Sequence, residues 1–74
     1  MQTKGFEETQ AGYASNDPRR LVGEFRRFGE HGPAYEILRV DNDREAYIRV
    51  VYSGEELSHS IAEILEDPVA ETIP

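Results

Sequence analysis

The two histidines, His31 and His59, come first, because imidazole is both a common metal ligand and a base that titrates near neutral pH. A metal site would need at least one more strong ligand converging on them, and the nearby candidates are Glu30, Glu55 and Glu56. Glu56 and His59 would share one face of a helix, as in di-iron bundles, but such bundles need several helices of this kind and 74 residues do not provide them. Ser53, Ser58 and Ser60 neighbour His59, yet a serine nucleophile also requires a cleft and an oxyanion hole. A domain this small rarely encloses a substrate. Gly29-Glu30-His31-Gly32-Pro33 is too short and interrupted for a phosphate loop, and no Lys-Ser/Thr pair follows it. The residues thus point to no catalytic centre, no metal and no cofactor. His59 is expected to be a half-buried sheet residue and His31 a loop residue.

Charge is the next source of chemistry. The net charge is −7, and from Gly54 to Pro74 there are six carboxylates with no Lys or Arg. The basic residues lie earlier, with a cluster at Arg19, Arg20, Arg26 and Arg27. Binding a phosphate backbone needs a positive field, so the balance argues against general nucleic-acid affinity. A nucleic-acid accessory role through that cluster stands as the alternative, although Glu24 and Glu30 sit close by. Tyr47 beside Arg49 has the composition favoured at protein interfaces. Tyr47, Arg49, Arg26 and Arg27 are therefore the candidate partner-binding residues. A protein partner or a second copy of the chain is the expected ligand.

These side chains must be positioned by the stretch from Tyr35 to Ile61, where apolar residues are dense and alternate with polar ones. Ala46, Ile48, Val50 and Tyr52 would form the apolar face of one strand, and Tyr35, Ile37 and Arg39 one face of the strand before it. An even turn at Asp41-Asn42-Asp43-Arg44 sets Tyr35 opposite Val50, Ile37 opposite Ile48, and Glu36 opposite Arg49. A five-residue loop would instead bring Glu36 against Val50. A second turn at Ser53-Gly54-Glu55 keeps the parity and places Leu57 and His59 on the face of Ile48. Strand is expected to about Ser58, then a short helix from Ser60 to Glu66, stopped at Asp67-Pro68. The competing reading is one long helix capped by Ser53 and Glu56.

Leu21 to Phe28 suits two conformations. A helix would have Asn16 or Asp17 as N-cap, Pro18 at its first position and Gly29 at its end. A strand would add a partner to a three-stranded sheet, and this reading is preferred. The whole is an α+β fold, mainly β. It has a small three- to four-stranded antiparallel sheet or partly open barrel with a short C-terminal helix. Residues 1–20 are expected to be a flexible tail, 21–66 one small domain, and 67–74 a frayed end. The chain has no cysteine and no apolar run long enough to span a membrane, which suits a soluble cytoplasmic protein.

Arg27-Phe28-Gly29, Gly32-Pro33-Ala34-Tyr35-Glu36-Ile37-Leu38, Ile48-Arg49-Val50-Val51, Ser53-Gly54-Glu55 and Ile64-Leu65-Glu66-Asp67-Pro68 together resemble a family of small bacterial proteins of unknown function. The resemblance runs from Leu21 to Pro68. It implies a bacterial cytoplasmic setting and transfers no catalytic residue.

Overall fold

The structure is a computed structural model and describes residues 17–70. Four antiparallel strands lie in chain order: β1 (Phe25–Arg27), β2 (Ala34–Val40), β3 (Glu45–Val50) and β4 (Glu56–Ser60). A short helix, α1 (Ile61–Glu66), follows β4 directly, and a 3₁₀ turn at Pro18–Leu21 precedes β1. The sheet is open. Helix and turn pack on one face, where Leu21, Tyr35, Ile37, Ala46, Ile48, Ile61 and Ile64 form the buried core. Phe28, Val40 and Leu57 pack partly against it. Ile37 and Ile48 face each other at its centre and are fully buried, each stabilising the fold by about 1.5–3 kcal/mol.

Within Leu21 to Phe28 the preferred strand holds for Phe25–Arg27 only, and the alternative helix running to Gly29 does not form; a 3₁₀ turn at Pro18–Leu21 stands at its start. Asp17 caps the 3₁₀ turn by accepting from the Arg19 N–H, with Pro18 at the first position. Gly23, at φ +93°, breaks the turn and lets the chain enter β1 extended. The boundary expected at residue 21 thus falls earlier: Asp17 to Arg20 belong to this capped turn, and residues 1–16 of the expected tail lie outside the described residues.

In the β2–β3 hairpin, Tyr35 pairs with Val50, Glu36 with Arg49 and Ile37 with Ile48, as the sequence pattern requires. Past Ile37 the register shifts, so that Arg39 opposes Tyr47 and Val40 opposes Ala46. The loop is therefore odd rather than even. Its shape comes from Asn42, whose Oδ1 accepts from the N–H groups of Arg44 (2.8 Å) and Glu45 (3.0 Å). Leu38 is the unpaired extra residue, and the bulge it forms absorbs the slip before it can reach Glu36.

In β3 the apolar alternation stops two residues earlier than expected, at Val50 rather than Tyr52. Val50 N–H donates to Glu55 O and Gly54 N–H to Val50 O, so Val51 to Gly54 form the turn. Gly54 supplies the positive φ of +76°. Tyr52, expected on the apolar face, is 94% exposed in this turn. The single long helix is excluded, because β4 pairs with β3 from Arg49↔Glu56 to Glu45↔Ser60. Ser60 is the N-cap of α1, its hydroxyl accepting from the Glu63 N–H. The helix ends where Asp67 precedes Pro68 and takes an extended conformation.

Residues 67–70, expected to fray, are held along the free side of β1. Arg27 N–H donates to Pro68 O (3.0 Å) and Ala70 N–H to Phe25 O (2.8 Å), and Ala70 is buried. Residues 71–74 of the expected frayed end lie outside the described residues.

Candidate interaction surface

Alternation along β1, β2 and β3 sends a second set of side chains to the sheet face opposite the helix. Phe25 pairs with Glu36 and Glu36 with Arg49, so these three cross the face in one row. The Arg49 guanidinium donates to Glu36 Oε1 at 2.8 Å. One row further, Arg39 opposes Tyr47 and stacks over its ring at 4.2 Å, while its Nε donates to Asp41 Oδ1 at 2.8 Å. Arg27 opposes the buried Ala34 at the other end of the face. Phe25, Arg27, Glu36 and Tyr47 are half-buried, and Arg39 and Arg49 are exposed. Among the described residues, no helix covers this face.

Of the partner-binding candidates, Tyr47 and Arg49 share this face and Arg27 lies at its border. Arg26 does not belong with them. It pairs with Tyr35 and points into the covered side, 9% exposed. Its Nη1 donates to the carbonyls of Ile64 (2.9 Å) and Asp67 (3.0 Å), and its Nη2 to Glu24 Oε1 (2.9 Å). The last turn of α1 contains no basic residue. Arg26 reaches across from β1 to satisfy those carbonyls and to place its charge at the helix C-terminus. This splits the arginine cluster. Arg19 and Arg20 lie on the 3₁₀ turn, Arg26 inside and Arg27 on the far face, with Arg19 bonded to Asp17 at 2.6 Å and holding that carboxyl down to about pKa 2.

A polar group that the sequence did not point to lies on the covered side. The Asp67 carboxylate accepts from the Tyr35 hydroxyl at 2.5 Å and from the Gly29 N–H at 3.2 Å, and His59 Nε2 lies 3.2 Å away. His59 Nδ1 lies 3.5 Å from Glu63 Oε1. Phe28 closes the group, its ring centroid 4.5 Å from Tyr35 and 5.1 Å from His59. Burial raises the Asp67 pKa, but the hydrogen bonds from Tyr35, His59 and Gly29 outweigh that and hold the carboxyl below its ordinary range. Burial, with the Asp67 hydrogen bond and charge, pushes the Tyr35 phenol strongly upward. A carboxylate holding an imidazole also supplies two of the three groups of a hydrolytic triad. Here, however, the third partner is a buried phenol, and two surface hollows of about 440 and 370 Å³ are lined by none of these residues. What the geometry does is anchor the chain after α1 to β2 and β4.

His59 is thus the half-buried sheet residue expected, and His31 is exposed in the turn after β1. Among the described residues, no group of three or more His, Cys, Asp or Glu side chains is placed to hold a metal ion. No helix among them is long and apolar enough to cross a membrane. The sequence model of a family of unknown function (DUF5397) matches residues 13–71. No curated protein matches the chain.

Proposed function

Because the chain belongs to this family of unknown function, we propose for it a role that rests on surface alone: a small acidic protein-binding module without catalytic activity. The reading is of a cytoplasmic protein, which the lack of cysteine suits. The observation that supports it is the sheet face that no described helix covers, where Phe25 and Tyr47 are interleaved with Arg39 and Arg49. An aromatic ring fixed by a stacked guanidinium is a rigid, amphipathic anchor that loses little entropy on docking. The Glu36–Arg49 pair keeps the face near neutral, which favours a protein surface over a phosphate backbone.

The test compares the full chain with a Tyr47→Ala, Arg49→Ala variant. Sedimentation reports self-association, and affinity capture from the native host reports a partner. Exchange protection at the amides of β3 then locates the contact. A dimer or a captured protein that protects β3 in the full chain and is lost in the variant is the expected result. Identical mass and identical capture by both chains would refute the reading.

A further inference from the structure

Beyond that face, the sheet has two edges, and they are treated differently. The outer side of β1 is taken by residues 67–70, through the Arg26↔Val69 bridge and its flanking hydrogen bonds. The outer side of β4 is bonded to nothing among the described residues. Which groups it presents follows from the register. Val50 N–H donates to Glu55 O and Ile61 N–H to Arg44 O, so the odd-numbered residues of this segment bond towards β3. The N–H and C=O groups of Glu56 and Ser58 therefore point outward, away from the sheet.

The charged side chains of β4 and its flanks are mainly carboxylates. Glu56 is exposed on one side of the strand. Glu63, next to His59, stands on the other, and Glu55 lies at the strand's start. Arg49 is one strand further in and bonded to Glu36, and Arg44 stands at the far end beside Ile61. Open edge strands are normally blunted by charges, proline or a covering loop; β4 carries the charge of Glu56 but no lysine or proline, and no described residue covers it.

We propose that β4 is a strand-addition site for an extended basic segment of another protein. That segment would pair with the outward groups of Glu56 and Ser58 and place Lys or Arg at alternate positions against Glu56. A second copy of this chain is the poorer occupant, because each copy brings the same carboxylates and a net charge of −7.

The experiment uses the ¹⁵N-labelled full chain and two blocked peptides, one with Lys alternating with Val and Thr, the other with Glu in place of Lys. The Lys peptide should shift the amides of Glu56 and Ser58 and slow their exchange roughly tenfold or more. Its affinity should fall roughly tenfold between about 20 mM and about 300 mM salt. Ser58→Pro, which removes an outward N–H that the fold does not use, should abolish the effect. So should the charge reversal Glu56→Lys with Glu63→Lys, in a protein whose spectrum stays folded. Phe25→Ala, on the strand furthest from β4, should leave it unchanged, which separates this edge from the face proposed above. Three results would overturn the proposal: an equal response to the Glu peptide, no response at Glu56 and Ser58, or protection of those amides without peptide. In the last case, protection that rises with protein concentration would assign the edge to a second copy, and protection that does not would assign it to the chain's own remaining residues.

Discussion

Replacing Asp67 by Asn tests whether one carboxylate holds the end of this fold. The substitution keeps the shape and removes the charge, and it turns half of an acceptor into a donor. Of the donors that Asp67 serves, the most costly to strand is the Tyr35 hydroxyl, because Tyr35 is fully buried. A hydrogen bond to a charged acceptor contributes about 1.5–3 kcal/mol, and the Gly29 N–H at a wetter position adds about 0.5–1 kcal/mol. The expected loss is therefore about 2–4 kcal/mol, a large share of the few kcal/mol that a core this small supplies.

Urea unfolding of the parent, Asp67→Asn, Tyr35→Phe and the double variant would measure this loss. It would also give a coupling between the two residues of about 1–2 kcal/mol. The pH dependence provides a second check. Asp67 titrates lower when folded than unfolded, so its stabilisation is complete above the unfolded value of about 3.9 and is lost as pH falls through the folded value. The gap between parent and Asp67→Asn should stay constant down to about pH 4 and narrow below it. A loss under about 1 kcal/mol, no coupling to Tyr35, or a gap that stays constant on further acidification would each refute the anchoring role.

Arg26→Met should cost about 3–5 kcal/mol by thermal or urea denaturation, since it removes the buried donor for Ile64 O and Asp67 O and leaves Glu24 unpaired. Gly32→Ala would set a new Cβ 2.0 Å from the Phe28 carbonyl oxygen and 2.7 Å from its Cβ. The turn after β1 must then move, and ¹⁵N spectra should show Phe28, Tyr35 and His59 shifted together. Ser60→Ala removes the N-cap of α1 and should lower stability by about 1 kcal/mol, read as a fall in melting temperature of about 4–8 °C. Glu36→Gln breaks an exposed pair and should change stability by less than about 1 kcal/mol.

Much of the sheet was legible because its signals are local. The β2 and β3 alternation, the positive-φ glycine at position 54 and the Ser60 cap each act within a few residues, and each holds in the fold. The β2–β3 loop departs from the even turn for a reason of the same kind. Two local preferences, the Asn42 turn and the Ile37–Ile48 pairing, demand opposite parities, and only a bulge at Leu38 satisfies both. Alternation places Tyr52 on the core face, yet it is exposed, because alternation alone does not say where a strand stops.

The site was less legible. Arg26 looks like its neighbours Arg19, Arg20 and Arg27, yet its fate is set by carbonyls 38 and 41 residues away. The Asp67 group joins a turn, two strands and the residue after a helix, and no sequence spacing relates them.

Side-chain period and turn chemistry, which the sequence carries in each short segment, determined that this chain makes an antiparallel sheet and a terminal helix. Which face the helix covers, which arginine is withdrawn from solvent and which edge the segment after the helix pairs with were decided only by tertiary packing. Those outcomes depend on where distant backbone carbonyls and one carboxylate come to rest, and burial forces each of them to find its donor.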